Sequence, residues 1–133
     1  MMGSKAIFKR VSILGKDTII VGQDMMHSAA NEVFSEVPAS TYVVVADHNV
    51  AKLHLASILS ALEECKKKLS INSKVLSICI SPGEANKTRE TKAFLEDWML
   101  SQGCTRDSCL IALGGGVIGD LVGKIILYTF RNW

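Results

Sequence analysis

The sequence predicts an α/β protein of the Rossmann-like, doubly wound class, built on a mainly parallel sheet with an N-terminal hairpin. After the hairpin and one helix, apolar strand segments alternate with segments of helical periodicity three times, which is the order of such a sheet. A polar or glycine-rich loop follows each of these strands, and parallel strands bring such loops to one edge. The 133 residues suffice for a core, so we expect one domain over residues 1–133.

Each predicted element has a local signal. Residues 41–46 contain three consecutive valines and no polar face, as expected for a parallel strand covered on both sides. Residues 50–69 repeat apolar side chains at helical spacing. The predicted hairpin has strands at 7–14 and 18–21, joined by a turn at 15–17. The other predicted strands lie at 74–80 and 108–113. The other predicted helices lie at 25–35, at 88–101 with Gly103 as the stop signal after it, and from about residue 117.

Composition and charge argue against several function classes. The formal charge is +2 and no basic block occurs, which argues against nucleic-acid binding, and Lys66-Lys67-Lys68 is typical of a solvated helix end. No apolar run approaches the roughly 18 residues of a membrane helix, and no signal peptide is recognisable. The four cysteines form no Cys-x-x-Cys pair, which indicates free thiols in a reducing cytoplasm rather than a metal site.

The strongest local signal is the glycine-rich segment 114–120, which follows a predicted strand and opens a predicted helix. Gly114 to Gly119 satisfies G-x-G-x-x-G, a pattern whose bare backbone amides favour a diphosphate. The segment follows a late strand, so a turn that merely packs a helix closely on the sheet is the alternative. Asp120 lies in the first turn of that helix, where it either stabilises the helix dipole or binds a ligand hydroxyl.

Two further loops are expected at the same edge of the sheet. Glu84 and Lys87 lie three residues apart in the loop 81–87 and could hold a ribose hydroxyl and a charged group, although an ordinary loop with a helix cap is an equal reading. For Asp47-His48-Asn49 the residues alone favour capping and turn formation. The convergence of the three loops makes them a candidate ligand site before any family is considered.

Three segments, Pro82-Gly83-Glu84, Lys87 to Lys92 and Gly114 to Gly123, together resemble 3-dehydroquinate synthase, and the similarity extends over about residues 11–123. Residues 12–15 and 103–107 resemble its fungal form, the first domain of the pentafunctional AROM polypeptide. The resemblance implies an NAD-binding domain that is followed by a helical domain holding zinc. It also implies a lyase of the shikimate pathway, in which NAD-assisted phosphate elimination and cyclisation of a seven-carbon keto sugar acid phosphate yield 3-dehydroquinate.

The resemblance also implies roles for individual residues. Asp47 and Asn49 match the adenosine side of the cofactor site, Glu84 and Lys87 the ribose, and Gly115, Gly116, Val117 and Asp120 the diphosphate. His48 and Gly114 complete the expected cofactor-binding set. Arg131 falls in the register of the family's substrate-binding arginine, in a stretch that otherwise departs from the family pattern. Catalytic lysines and zinc ligands are expected in a C-terminal part, so we expect an N-terminal fragment that is inactive alone and a homodimer for the full-length enzyme.

Two other interpretations remain open from the sequence. Iron-dependent alcohol and glycerol dehydrogenases resemble this family in architecture and also use a glycine-triplet loop, but Arg89-Glu90-Thr91-Lys92 favours the synthase. The chain could also be a non-catalytic module, either inert or paired with a separate C-terminal half.

Replacing Gly116 by a bulky residue should weaken NAD binding, because a side chain there would keep the diphosphate away from the backbone amides. Titration of the purified variant with NAD, beside the parent chain, measures the effect. An unchanged titration curve would argue against this glycine segment as the diphosphate site.

Overall fold

The computed structural model describes residues 8–13, 16–22, 25–80 and 89–114, and the structural statements below concern these residues. Two strands come first and form their own antiparallel sheet. The elements in chain order are β1 (Phe8–Ile13), β2 (Lys16–Gly22), α1 (Met26–Glu36), β3 (Thr41–Asp47), α2 (His48–Val50), a π-helical turn (Ala51–Leu55), α3 (Ala56–Leu69), β4 (Lys74–Ile80), α4 (Arg89–Ser101) and β5 (Ser108–Leu113).

The predicted hairpin is confirmed, but its second strand begins earlier than predicted. The paired strands run from Phe8 opposite Gly22 to Ile13 opposite Lys16, with a register shift between Val11 and Ser12. Lys16 therefore belongs to β2 rather than to the turn, because the ladder continues to it.

The predicted parallel sheet is also confirmed, with strand order β4-β3-β5. β3 lies in the centre, with Thr41 opposite both Lys74 of β4 and Ser108 of β5, and both pairings are parallel. Its residues Val43, Val44, Val45 and Ala46 are fully buried. The strand reads as an unbroken apolar run because helices cover both of its faces.

Each face of the sheet packs against a different layer of helices. On one face, which we call the α3 face, Tyr42 and Val44 of β3 pack with α1 and α3. On the other, the α4 face, Val43 and Val45 pack against Leu95 and Met99 of α4. The predicted periodicity is confirmed, because Ile58 and Leu62 are buried among Ala30, Phe34, Ala61 and Cys65 of the α3 face, with Leu55 and Leu59 packed against them.

Hydrogen bonds fasten the edge of the sheet at which β3 begins. The Tyr42 hydroxyl donates to the carbonyl of Val37 at 2.7 Å and accepts from the Ala39 amide at 3.0 Å. The Ser40 amide and hydroxyl both donate to the carbonyl of Asp107, at 3.0 and 2.9 Å. The chain entering β3 is thereby tied to the end of α1 and to the chain entering β5.

A residue with a left-handed backbone follows each of α3 and α4. Gly103 has a φ of +78°, and the amides of Gly103 and Cys104 donate to the carbonyls of Leu100 and Met99, as the predicted glycine stop requires. Ser70 takes the same position after α3 with a φ of +54°. The lysines of the last turn of α3 then lie where cations complement the helix dipole.

The four cysteines carry free thiols, as predicted. Burial raises the pKa of the thiols of Cys65, Cys104 and Cys109, which favours the protonated, unreactive form. In the described part of the chain no three His, Cys, Asp or Glu side chains lie close enough together to hold a metal ion. None of the described helices has the length and apolar character that a membrane crossing needs.

The substitution Tyr42→Phe should lower the free energy of unfolding by about 1–3 kcal/mol, because it leaves the Ala39 amide and the Val37 carbonyl without their partner. The ring and its edge-on contact with Phe34, at 4.9 Å between centroids, are kept. Urea denaturation of both chains measures the difference, with Ser35→Ala as a control at an exposed hydroxyl. A Tyr42→Phe variant as stable as the parent would show that water replaces the hydroxyl at no cost.

Candidate functional site

The strand order marks one edge of the sheet as the candidate site. β3 is the first strand of the parallel series, and the connections through α3 and α4 lead to its two opposite sides. The chain therefore reverses its direction of winding between β3 and β5. In open α/β sheets, ligands bind beyond the carboxyl ends of the strands at such a reversal.

Asp47 is the last residue of β3 and lies half-buried at this edge. Its carboxylate oxygen Oδ1 accepts a hydrogen bond from the Val50 amide at 2.8 Å, so the side chain caps the helix that follows. The backbone at Asp47 is extended, with φ −81° and ψ 162°. No hydrogen bond joins its second oxygen, Oδ2, to any other described residue.

His48 and Asn49 form the first turn of that helix, and both are exposed. They lie where unpaired amides and the positive end of the helix dipole favour an anion or a hydroxyl oxygen. The capping role predicted for this loop is thus confirmed for Asp47, and the two residues after it are left accessible at the sheet edge.

Gly114 leaves β5 directly beside Asp47. Ala46 pairs with Leu113 across the β3–β5 ladder, so the next residues, Asp47 and Gly114, lie on neighbouring strands at the same level. Adjacent strands are roughly 5 Å apart. Gly114 is exposed and has a φ of +152°, a conformation that L side chains rarely adopt.

The other predicted site residues lie outside the described residues. They are Glu84, Lys87, Gly115, Gly116, Val117, Asp120 and Arg131. β4 nevertheless ends at Ile80, opposite Asp47, so the chain that continues into residues 81–87 leaves the sheet at the same edge. Among the described residues, the Asp47–Asn49 turn, Gly114 and the end of β4 at Ile80 therefore lie at one edge of the sheet.

The structure has a π-helical turn at Ala51–Leu55, where the sequence pattern predicts an ordinary α-helix from residue 50. One signal was present: in an α-helix His54 would share a face with Ile58 and Ala61, which are buried. A polar residue in an apolar stripe indicates a break in the α-helical periodicity. In the structure His54 is exposed.

The chemistry of this edge suits a ligand that combines hydroxyls with negative charge. It offers a carboxylate oxygen, the amides of a helix N-terminus and a bare glycine backbone within two neighbouring strand ends. It holds no pair of side chains, among those described, that would act as nucleophile and base.

Comparison with known proteins points to one family. Residues 77–131 match the model of the 3-dehydroquinate synthase N-terminal family. The pentafunctional AROM polypeptides of Eremothecium gossypii, Pneumocystis carinii and Schizosaccharomyces pombe are 49%, 47% and 44% identical to the chain. The alignments cover 93%, 92% and 98% of this chain, and this chain spans about 8% of the length of each relative.

Solved structures show the same fold at low sequence identity. The chain superimposes on 2-deoxy-scyllo-inosose synthase in complex with carbaglucose-6-phosphate, NAD+ and Co2+ with a TM-score of 0.67 and 19% identity, over 94% of this chain and 32% of that one. A second structure of 2-deoxy-scyllo-inosose synthase gives 0.61 at 20% identity, over 94% and 34%. The family match thus places residues 77–131 in the 3-dehydroquinate synthase N-terminal family, within a chain that is similar to fungal AROM polypeptides over more than nine tenths of its length.

Proposed function

We propose that this chain is the NAD-binding part of a 3-dehydroquinate synthase. The observation that carries the proposal is the placement of Asp47 and Gly114 side by side at the strand ends where the winding of the sheet reverses. The reaction would be the conversion of a seven-carbon keto sugar acid phosphate to 3-dehydroquinate. The activity of the whole enzyme, its substrate and its homodimeric assembly are parts of this proposal.

The carboxylate of Asp47 supports the binding of a ribose. Because Oδ1 is engaged by the Val50 amide, the carboxylate is held in one orientation, and Oδ2 remains to accept from a ribose hydroxyl. A hydrogen bond from a neutral hydroxyl to a fixed carboxylate is among the stronger kinds. His48 and Asn49, exposed in the same turn, would contact the adenosine end of the cofactor.

The positive φ and exposure of Gly114 support the approach of a diphosphate to bare backbone. A side chain at this position would adopt a strained conformation and would also stand in front of the strand end. We extend the proposed cofactor site along the sequence to Gly115, Gly116, Val117 and Asp120 for the diphosphate, and to Glu84 and Lys87 for the ribose. Arg131 is the proposed contact to the substrate.

When bound, NAD would supply the reversible oxidation of one substrate hydroxyl. The residues of this chain would hold the cofactor in a fixed orientation at the sheet edge. We assign no catalytic residue in this part of the protein. The proposed zinc of the full-length enzyme has no candidate ligand set among the described residues.

The match of residues 77–131 to the synthase family favours this function over an iron-dependent dehydrogenase of similar architecture. The fold itself does not discriminate between the two, because such sheets carry many chemistries. The distinction therefore comes from the sequence of the matched segment.

Two substitutions at Asp47 separate its structural role from its proposed binding role. Asp47→Asn keeps an oxygen that can cap the helix, whereas Asp47→Ala removes the cap and should cost about 0.5–2 kcal/mol of stability. Both remove the negative charge that would bind the ribose, so both should weaken NAD binding by roughly 10- to 100-fold. Calorimetric titration with NAD and urea denaturation of each variant measure the two effects.

The control is Ser60→Ala, an exposed position on α3 away from this edge, which should match the parent in both measurements. Asp47→Asn binding NAD as tightly as the parent would contradict the assigned role of Asp47. A parent chain that shows no saturable binding of NAD would contradict the proposed function.

A further inference from the structure

Residues 48–69 form one continuous helix whose second turn is a π turn. The residues at its joints, Val50, Ala51, Leu55 and Ala56, all have right-handed helical backbone angles, so the chain stays helical from one segment to the next. A π turn bonds residue i to residue i+5 and is rare as a feature of helices, occurring frequently at functional sites. This one begins four residues after Asp47.

A π turn holds one residue more than an α turn. The residues before it are therefore rotated by about 100° and displaced by about 1.5 Å relative to an unbroken α-helix continued backward from α3. His48 and Asn49 at the sheet edge owe their orientation to this extra residue, since α3 itself is fixed by the burial of Ile58, Ala61 and Leu62.

Both ends of the segment are held. At the front, Asp47 belongs to the ladder, opposite Ile80, and caps the helix through Val50. At the back, Ile58 is buried on the α3 face. The segment from Asp47 to Ile58 contains one residue more than an unbroken α-helix between these two fixed points would hold. The π turn accommodates this additional residue. Leu53, in the middle of the turn, is 73% exposed.

We infer that the π turn Ala51–Leu55 is a positioning element that orients the Asp47–Asn49 turn for the cofactor. The inference rests on the proposed function for the identity of the ligand, but its first consequence is independent of it. Removal of one residue should convert the π turn to an α turn. The cap from Asp47 to Val50 and the packing of α3 could then no longer both be satisfied.

A simpler explanation for the π turn is that it only keeps the imidazole of His54 out of the core. In an unbroken α-helix His54 lies four positions before Ile58 and would share its buried face. The substitution His54→Leu tests this explanation without changing the length of the chain.

The principal experiment is the deletion of Leu53 from the full chain, with Leu53→Ala as the control that keeps the residue count. Amide hydrogen exchange followed by NMR reports the Val50 amide and the amides of α3, and titration reports NAD binding. We expect the deletion to keep the protection of α3, to speed exchange at Val50 at least tenfold and to weaken NAD binding at least tenfold. The Leu53→Ala variant should match the parent.

A folded deletion variant with a protected Val50 amide and parental NAD binding would overturn the inference. If the parent itself binds no NAD, the proposed function fails, and exchange at Val50 alone decides the inference. If the deletion variant does not fold, the crystal structure and NAD titration of His54→Leu decide it. A π turn retained in the His54→Leu variant would support the inference, and so would an α turn accompanied by weaker NAD binding. An α turn with the Asp47–Val50 cap and NAD binding both intact would overturn it.

Discussion

The parallel pairing of β3 with a strand on each side is the constraint on which the rest of the structure depends. A strand that is bonded along both edges and covered on both faces has no exposed polar surface, and Val43 to Ala46 are accordingly fully buried. Its central position forces the two helical connections to opposite faces. The same position makes the end of β3 the point where the winding reverses, so packing and the location of the site have one cause.

The end of β3 also joins the sheet to the helix that begins the candidate site. Asp47 takes part in the ladder with Ile80 and caps the helix through Val50. Because Asp47 both pairs in the sheet and caps the helix, it fixes the position of the His48-Asn49 turn relative to the sheet. This explains how an exposed turn such as His48-Asn49 can present a defined geometry, because its orientation is set by the strand before it and the core helix after it.

The similarity to 3-dehydroquinate synthases agrees with the chemistry of the candidate site at the edge of the sheet. The described residues supply a capped carboxylate, a helix N-terminus and a glycine with positive φ, all of which suit a dinucleotide. The same sheet supports 2-deoxy-scyllo-inosose synthase at 19% identity. At that level of identity the similarity shows a common fold, and a common fold does not by itself assign a function.

The sequence by itself determined the alternation of strands and helices, the ends of β4 and β5 and the glycine stop of α4, because these depend on local periodicity and turn chemistry. The family motifs added the residues that we propose for the cofactor site. Only the tertiary structure decided the strand order β4-β3-β5, the adjacency of Asp47 and Gly114, and the π turn. These depend on contacts between distant segments: a helix must fit between a strand end fixed by the sheet and a face fixed by the core, and no local pattern specifies that fit.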